Sequence, residues 1–221
     1  MTEEARRSSR LAYAFTAAAL VAAVIAPYAV GLSVDYSSFL AKLMKIITGS
    51  IAVALCARAF GLHAAREAAE SITILFIAAL TTVILLYSAM RTNLPLADKG
   101  LANLDSSLFL NPANFVIFVN QSEILSTILH IAYASFWYQI VFIPPALALL
   151  CSPGSAYRFT SVFIMICALS SLIGAFFPCE ATYRYYGLND YNLQNIFNGF
   201  AEDFQKSFHA VRTDPNFELT A

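Results

Sequence analysis

Four stretches of this chain, residues 11–34, 72–90, 124–151 and 159–177, contain no Asp, Glu, Lys or Arg. A soluble core of this size has no need of runs that long. A segment that crosses a ~30 Å hydrocarbon layer does need roughly 20 apolar residues, because each backbone amide must be paired inside its own helix. Charged residues are 12% of the 221, about half the ~25% typical of soluble domains. The chain therefore reads as all-α, an integral membrane helical bundle. A net charge of -1 gives no reason to expect nucleic acid as a partner.

Five crossings are expected, at residues 11–34, 39–60, 72–90, 124–151 and 159–177. The first follows Arg6, Arg7 and Arg10. It is longer than a typical signal-peptide core and lacks a clean small-residue cleavage site, so it reads as a retained span, with a cleaved signal as the competing reading. The second has an uncharged centre only over residues 46–57, about 18 Å of helix. Lys42, Lys45 and Arg58 would have to snorkel toward the two surfaces, and an interfacial helix is the competing reading. Residues 64–70 form a short charged link. Pro144 and Pro145 are expected to kink or end the fourth span, and Pro178 to close the fifth. Residues 1–90 thus form a three-span unit. Residues 91–221 form a second unit of interfacial loop, two spans and polar tail.

Five crossings put the two ends on opposite sides. The amino-terminal arginines place the N-terminus in the cytoplasm by the positive-inside rule. The loop 91–123 and the tail from Cys179 then share the outer face.

That loop holds Asp98 and Asp105, seven residues apart and so on one face of a helix. Leu94, Leu96, Leu101 and Leu104 would let it lie at the membrane surface. Residues 108–119 are apolar but too few to span, and Asn111-Pro112-Ala113-Asn114 interrupts them. A re-entrant or surface segment beneath a headgroup pocket fits. His130 and Gln139 lie inside the fourth span, where polar groups serve either a site or interhelical hydrogen bonding. Cys56, Cys151, Cys167 and Cys179 lack CxxC spacing and neighbouring histidines, so no metal site is expected. Residues 195–211 read as a solvated surface helix, including Ser207-Phe208-His209.

Three pieces together carry a resemblance: RTNLPLADKGLANLDSSLF (91–109), ILHIAYASFWYQ (128–139) and FFPCEATYRYYG (176–187). From Arg91 onward the chain resembles bacterial members of the phosphatidic acid phosphatase type 2 superfamily, in the branch related to fungal inositol phosphorylceramide synthase. The resemblance implies phosphoryl or phospho-headgroup transfer on a membrane lipid, without metal or other cofactor. In that family a histidine attacks phosphorus, a second histidine protonates the leaving oxygen, and an aspartate orients the nucleophile. The first of these sits in a Pro-Ser-Phe-His motif at the start of a further span. None of His63, His130 and His209 occupies such a motif. The carry-over is limited to Asp98, Asp105, Tyr133 and Gln139, as substrate-side or architectural positions, with no catalytic residue assigned.

The expected protein is the N-terminal portion of a lipid phosphatase or phosphotransferase in a bacterial inner membrane, inactive alone. It would be a truncated gene product, one half of a split enzyme whose second polypeptide carries the catalytic helices, or a repurposed fold. Its partners would be membrane lipids and, for a split enzyme, that second chain. The alternative is a noncatalytic membrane assembly partner or small transporter subunit.

Overall fold

The computed structural model describes residues 3–180, 182–188, 193–196 and 199–220. Helix α1 (Glu3–Val30) begins well before the apolar run and takes the three arginines into its first turns. Glu3 and Glu4 in its first turn suit the positive end of the helix dipole. It stops at Gly31, whose φ of +66° lets Leu32 N–H donate back to the Pro27 carbonyl at 2.9 Å. Strand β1 (Ser33–Val34) follows. Asp35 then caps α2 (Tyr36–Ala59), accepting from the amides of Ser37 and Ser38. The Ser37 hydroxyl, together with those amides, holds the Asp35 carboxyl below its ordinary range. At the other end of α2, Leu62 N–H reaches the Ala57 carbonyl at 2.7 Å, again over a left-handed glycine, Gly61.

Helix α3 (His63–Arg91) is the hub, packing on α1, α2, α6 (Glu123–Leu150) and α7 (Ser155–Phe176). Its inward positions alternate small and branched residues: Ala68, Ser71, Ile74, Leu75, Ala78, Thr81 and Ile84 are all buried. Small side chains let backbones approach where lipid offers no hydrophobic drive for helix pairing. Ser71, Thr81 and Ser88 are polar; the last two spend their hydroxyls on carbonyls of their own helix. The outward faces of α1, α6 and α7 carry exposed Val24, Ile25, Ile131, Phe142, Ile166 and Leu169, as a surface solvated by acyl chains requires.

The helices α1, α2, α3 and α7 are each long and apolar enough to cross a membrane, and α6 with the short helix bent against it makes up to five. The all-α membrane bundle expected from the sequence is what forms. The second run is helical throughout, despite its lysines. Pro144 and Pro145 do not end the span: α6 continues through both to Leu150.

At the amino end of the bundle, Glu67 accepts from Gly154 and Ala156 N–H. Nearby, Glu70 accepts from Tyr13 and Tyr157 hydroxyls and pairs with Arg66 at 2.6 Å. Arg158 pairs with Glu4. These contacts fasten α1, α3 and α7 together at one level.

Past Arg91 the chain forms α4 (Asp98–Ser107) and α5 (Pro112–Asn120) at the far end. Asn111 and Pro112, which read as an interruption, start α5: the Asn111 side chain accepts from Asn114 N–H, and proline takes the first helical position. After α7 come the single-turn α8 (Thr182–Tyr185), α9 (Gly199–Thr213) and β2 (Glu218–Leu219). β2 pairs in parallel with β1, Ser33 opposite Glu218 and Val34 opposite Leu219. Phe208 and Val211 of α9 are buried with Leu32, Phe39, Ile84 and Met90. The helix read as solvated is therefore packed on its apolar side, a correction to the sequence reading.

Candidate functional site

The far end collects the loop 91–98, the start of α4, the segment after α7 and the tail. Arg91, at the carboxyl end of α3, donates to the Val211 carbonyl at 2.6 Å and the Asp214 carbonyl at 2.8 Å. A cation there also suits the negative end of the helix dipole. Arg212 returns the tie, donating to the Leu94 carbonyl at 2.9 Å. Ala97 N–H donates to the Pro178 carbonyl at 2.8 Å. The loop and tail thus lie on one end of the bundle, as five crossings require.

Pro178 ends the α7 register, and the next residues turn across the start of α4. Asp98, only 9% exposed, accepts from the Glu180 N–H at 3.1 Å. That bond places the Glu180 side chain against the Arg184 guanidinium and the His209 imidazole. Arg184 Nε lies 3.5 Å from one of its oxygens and His209 Nε2 lies 3.2 Å from the other. Arg184 Nη1 also contacts His209 Nε2. One ring nitrogen cannot serve both neighbours at once. Protonated, Nε2 donates to Glu180; unprotonated, it accepts from Arg184. The imidazole thus sits between a carboxylate and a guanidinium. Beside it, the surrounding protein and then the Asp98 carboxylate push the Cys179 thiol above its ordinary range.

Two more donors face inward along α9. The Arg212 guanidinium stacks 5.3 Å from the Phe208 ring centroid, and its Nη1 is buried without an acceptor among the described residues. Gln205 Nε2 is in the same condition. Residues seven apart share a helix face. A buried donor without a partner is costly, so an oxygen-rich group entering here gains what the protein leaves unmade.

Of the residues singled out in the sequence, Asp98 joins this cluster. Asp105 lies two turns along the same face of α4 and is half-buried. Tyr133 and Gln139 stay on the exposed side of α6, where the Gln139 amide donates to Ser135 Oγ at 2.9 Å. His130 is on α6 too, and exposed. The sequence reading missed Glu180, Arg184, Arg91 and Arg212 and dismissed His209. A signal was there: Glu180 and Arg184 stand at i,i+4 directly after a helix-ending proline. No group of three or more His, Cys, Asp or Glu side chains suited to a metal occurs among the described residues.

The cluster lies at one end of an apolar bundle, beside helices long enough to cross a membrane. The family model of the PAP2 superfamily matches residues 99–218. The match runs from the second residue of α4 into β2 and covers more than half of the chain. No curated protein and no solved structure matches. On that match, a membrane bundle whose polar end is assembled from α4, α9 and the turn after α7 belongs to the PAP2 superfamily.

Proposed function

We propose that the far end of this bundle receives the phosphorylated headgroup of a membrane lipid, in a protein of the phosphotransferase branch related to inositol phosphorylceramide synthase. The observation that carries this is the Glu180–Arg184–His209 cluster, inside the matched region and fixed by Asp98. Arg184 and the unpartnered donors of Arg212 and Gln205 supply positive charge and N–H groups for phosphate oxygens. Glu180 orients His209 in the way a carboxylate orients a nucleophilic imidazole.

Phosphoryl transfer through a phosphohistidine needs a second proton-carrying group on the leaving oxygen. His63 opens α3 at the amino end, about 40 Å of helix from Arg91. His130 lies within α6, seven residues past Glu123, about 10 Å down the span. This chain alone is therefore expected to hold headgroup without turning it over. The test is phosphate release from phosphatidic acid in mixed micelles by the purified chain and by His209→Ala. Both should match the protein-free background. Turnover by the parent that His209→Ala abolishes would overturn the inactive reading and make His209 the nucleophile.

A further inference from the structure

We propose that the turn between α4 and α5 is a wedge that enters the hydrocarbon of the leaflet beside the polar cluster, with Phe109 at its tip. Its position at the mouth of a headgroup site rests on the function proposed above; its insertion does not.

Phe109 has φ of +58°. It occupies the position just past the end of α4, with its N–H bonded to Ser106 and the Leu110 N–H bonded back to Asp105 at 2.8 Å. That is the helix-ending motif in which glycine is strongly favoured, because a side chain crowds the left-handed backbone. A phenylalanine there is disfavoured by its backbone, so its side chain must be wanted for another reason. It is not wanted for packing within the protein, since Phe109 is 98% exposed. Leu108 and Leu110 beside it are also exposed, as are Leu104, Phe115 and Phe118 on the two arms. A contiguous apolar patch of this kind on water marks a contact surface.

The direction of the arms says what the contact is. α5 meets the first half of α6 (Glu123–Phe136) at a bend of 113°. With α6 running into the bilayer from the far end, a right angle would lay α5 flat on the surface. The further 23° drops the Pro112 end toward the bilayer centre. Over nine residues of helix the drop is about 5 Å. The upper ends of both arms are tied to polar structure. Asp98 holds Glu180 N–H, and Asn120 accepts from the Asn195 backbone N–H at 3.0 Å and from its side-chain amide at 2.7 Å. Polar attachments above and an apolar tip below are the arrangement of an interfacial element buried several ångströms into the acyl boundary. The occupant of this surface is lipid hydrocarbon, not a second copy of the chain.

The experiment uses Phe109→Trp in a Trp137→Phe background, since Trp137 is the single tryptophan. The protein is reconstituted in phosphatidylcholine vesicles containing lipids brominated at defined acyl depths. Emission should be blue-shifted and quenched at least twofold more by shallow acyl bromines than by aqueous iodide. Iodide quenching equal to that of a water-exposed indole, without quenching by bromolipid, would overturn the wedge. So would efficient disulfide crosslinking of Phe109→Cys between copies. Phe109→Gly, which relaxes the backbone, should melt in detergent no lower than the parent. A melting point lowered by several degrees would mean that the ring packs on protein, and that too would overturn the proposal. None of these readouts depends on turnover or headgroup binding.

Discussion

Glu67 is 8% exposed and sends its carboxylate to the first turn of α7. Gly154 N–H donates to both of its oxygens at 3.0 Å, and Ala156 N–H donates to Oε1 at 3.1 Å. A helix start leaves such N–H groups without partners, and here the cap comes from another helix. Gly154 is needed for the same closure. Its φ is +93°, and a Cβ on it would stand 2.8 Å from the Ala5 Cα. Hydrogen bonds to a buried charged group contribute about 1.5–3 kcal/mol each, so Glu67→Ala should cost about 2–4 kcal/mol. At about 2–4 °C per kcal/mol for a chain of this size, thermal melting in detergent should fall by at least about 4 °C. Glu67→Gln, which keeps an acceptor, should fall by less. A Glu67→Ala melt equal to that of the parent would remove the capping role. In the sequence, Glu67 was visible only as part of a charged link between spans. Nothing in its neighbours says that its partners stand 87 and 89 residues on.

The spanning helices were legible because the bilayer imposes a requirement on each segment separately: enough apolar length, whatever the neighbours do. α9 shows where that logic stops. Phe204, Phe208 and Val211 recur at helical spacing, and the opposite face carries Asp203 and Lys206. The period was readable, but the surface that takes the apolar face, formed by Leu32, Phe39, Ile84 and Met90, comes from two stretches far away in the chain. The candidate site failed to show itself for the same reason. Glu180 and His209 gain meaning only after α9 docks. Arg91 helps to dock it, through its bonds to Val211 and Asp214 and a longer one of 3.4 Å to Pro215. Lysine has the charge but not the planar fork. Arg91→Lys should therefore speed amide exchange across residues 205–219 by about tenfold or more, the loss of one charge-assisted bond. Exchange in α7 should not change. Equal acceleration in α7 would mean that the substitution loosens the whole bundle, and no acceleration in the tail would mean that Arg91 does not hold it.

At the scale of the molecule, the contacts that tie the loop 91–98 to the tail and those that tie Glu67 to Gly154 define two ends, and the free cysteines sample both. Cys56 ends α2 beside Arg58 and Cys151 follows α6, which places them at the amino end; Cys179 follows α7 at the far end, and all three are exposed. The orientation of those ends in the cell is proposed from Arg6, Arg7 and Arg10, which favour the cytoplasm. A membrane-impermeant maleimide applied to intact spheroplasts should then modify Cys179 and spare Cys56 and Cys151 until the membrane is opened. The thiolate is the reacting form, so a thiol pushed upward reacts less at a given pH. Labelling of Cys179 should for that reason lag behind an ordinary exposed thiol at pH 7 and catch up as the pH rises above 8.5, the usual cysteine value. Asp98→Asn, which removes one of the two influences that raise the thiol, should narrow the lag. The reverse pattern, Cys56 and Cys151 first, would invert the bundle in the membrane while leaving its internal pairing intact. Labelling of Cys151 and Cys179 from the same side is the damaging result, because α7 would then not cross, and the cluster at Glu180 could not lie at the level of one leaflet's headgroups.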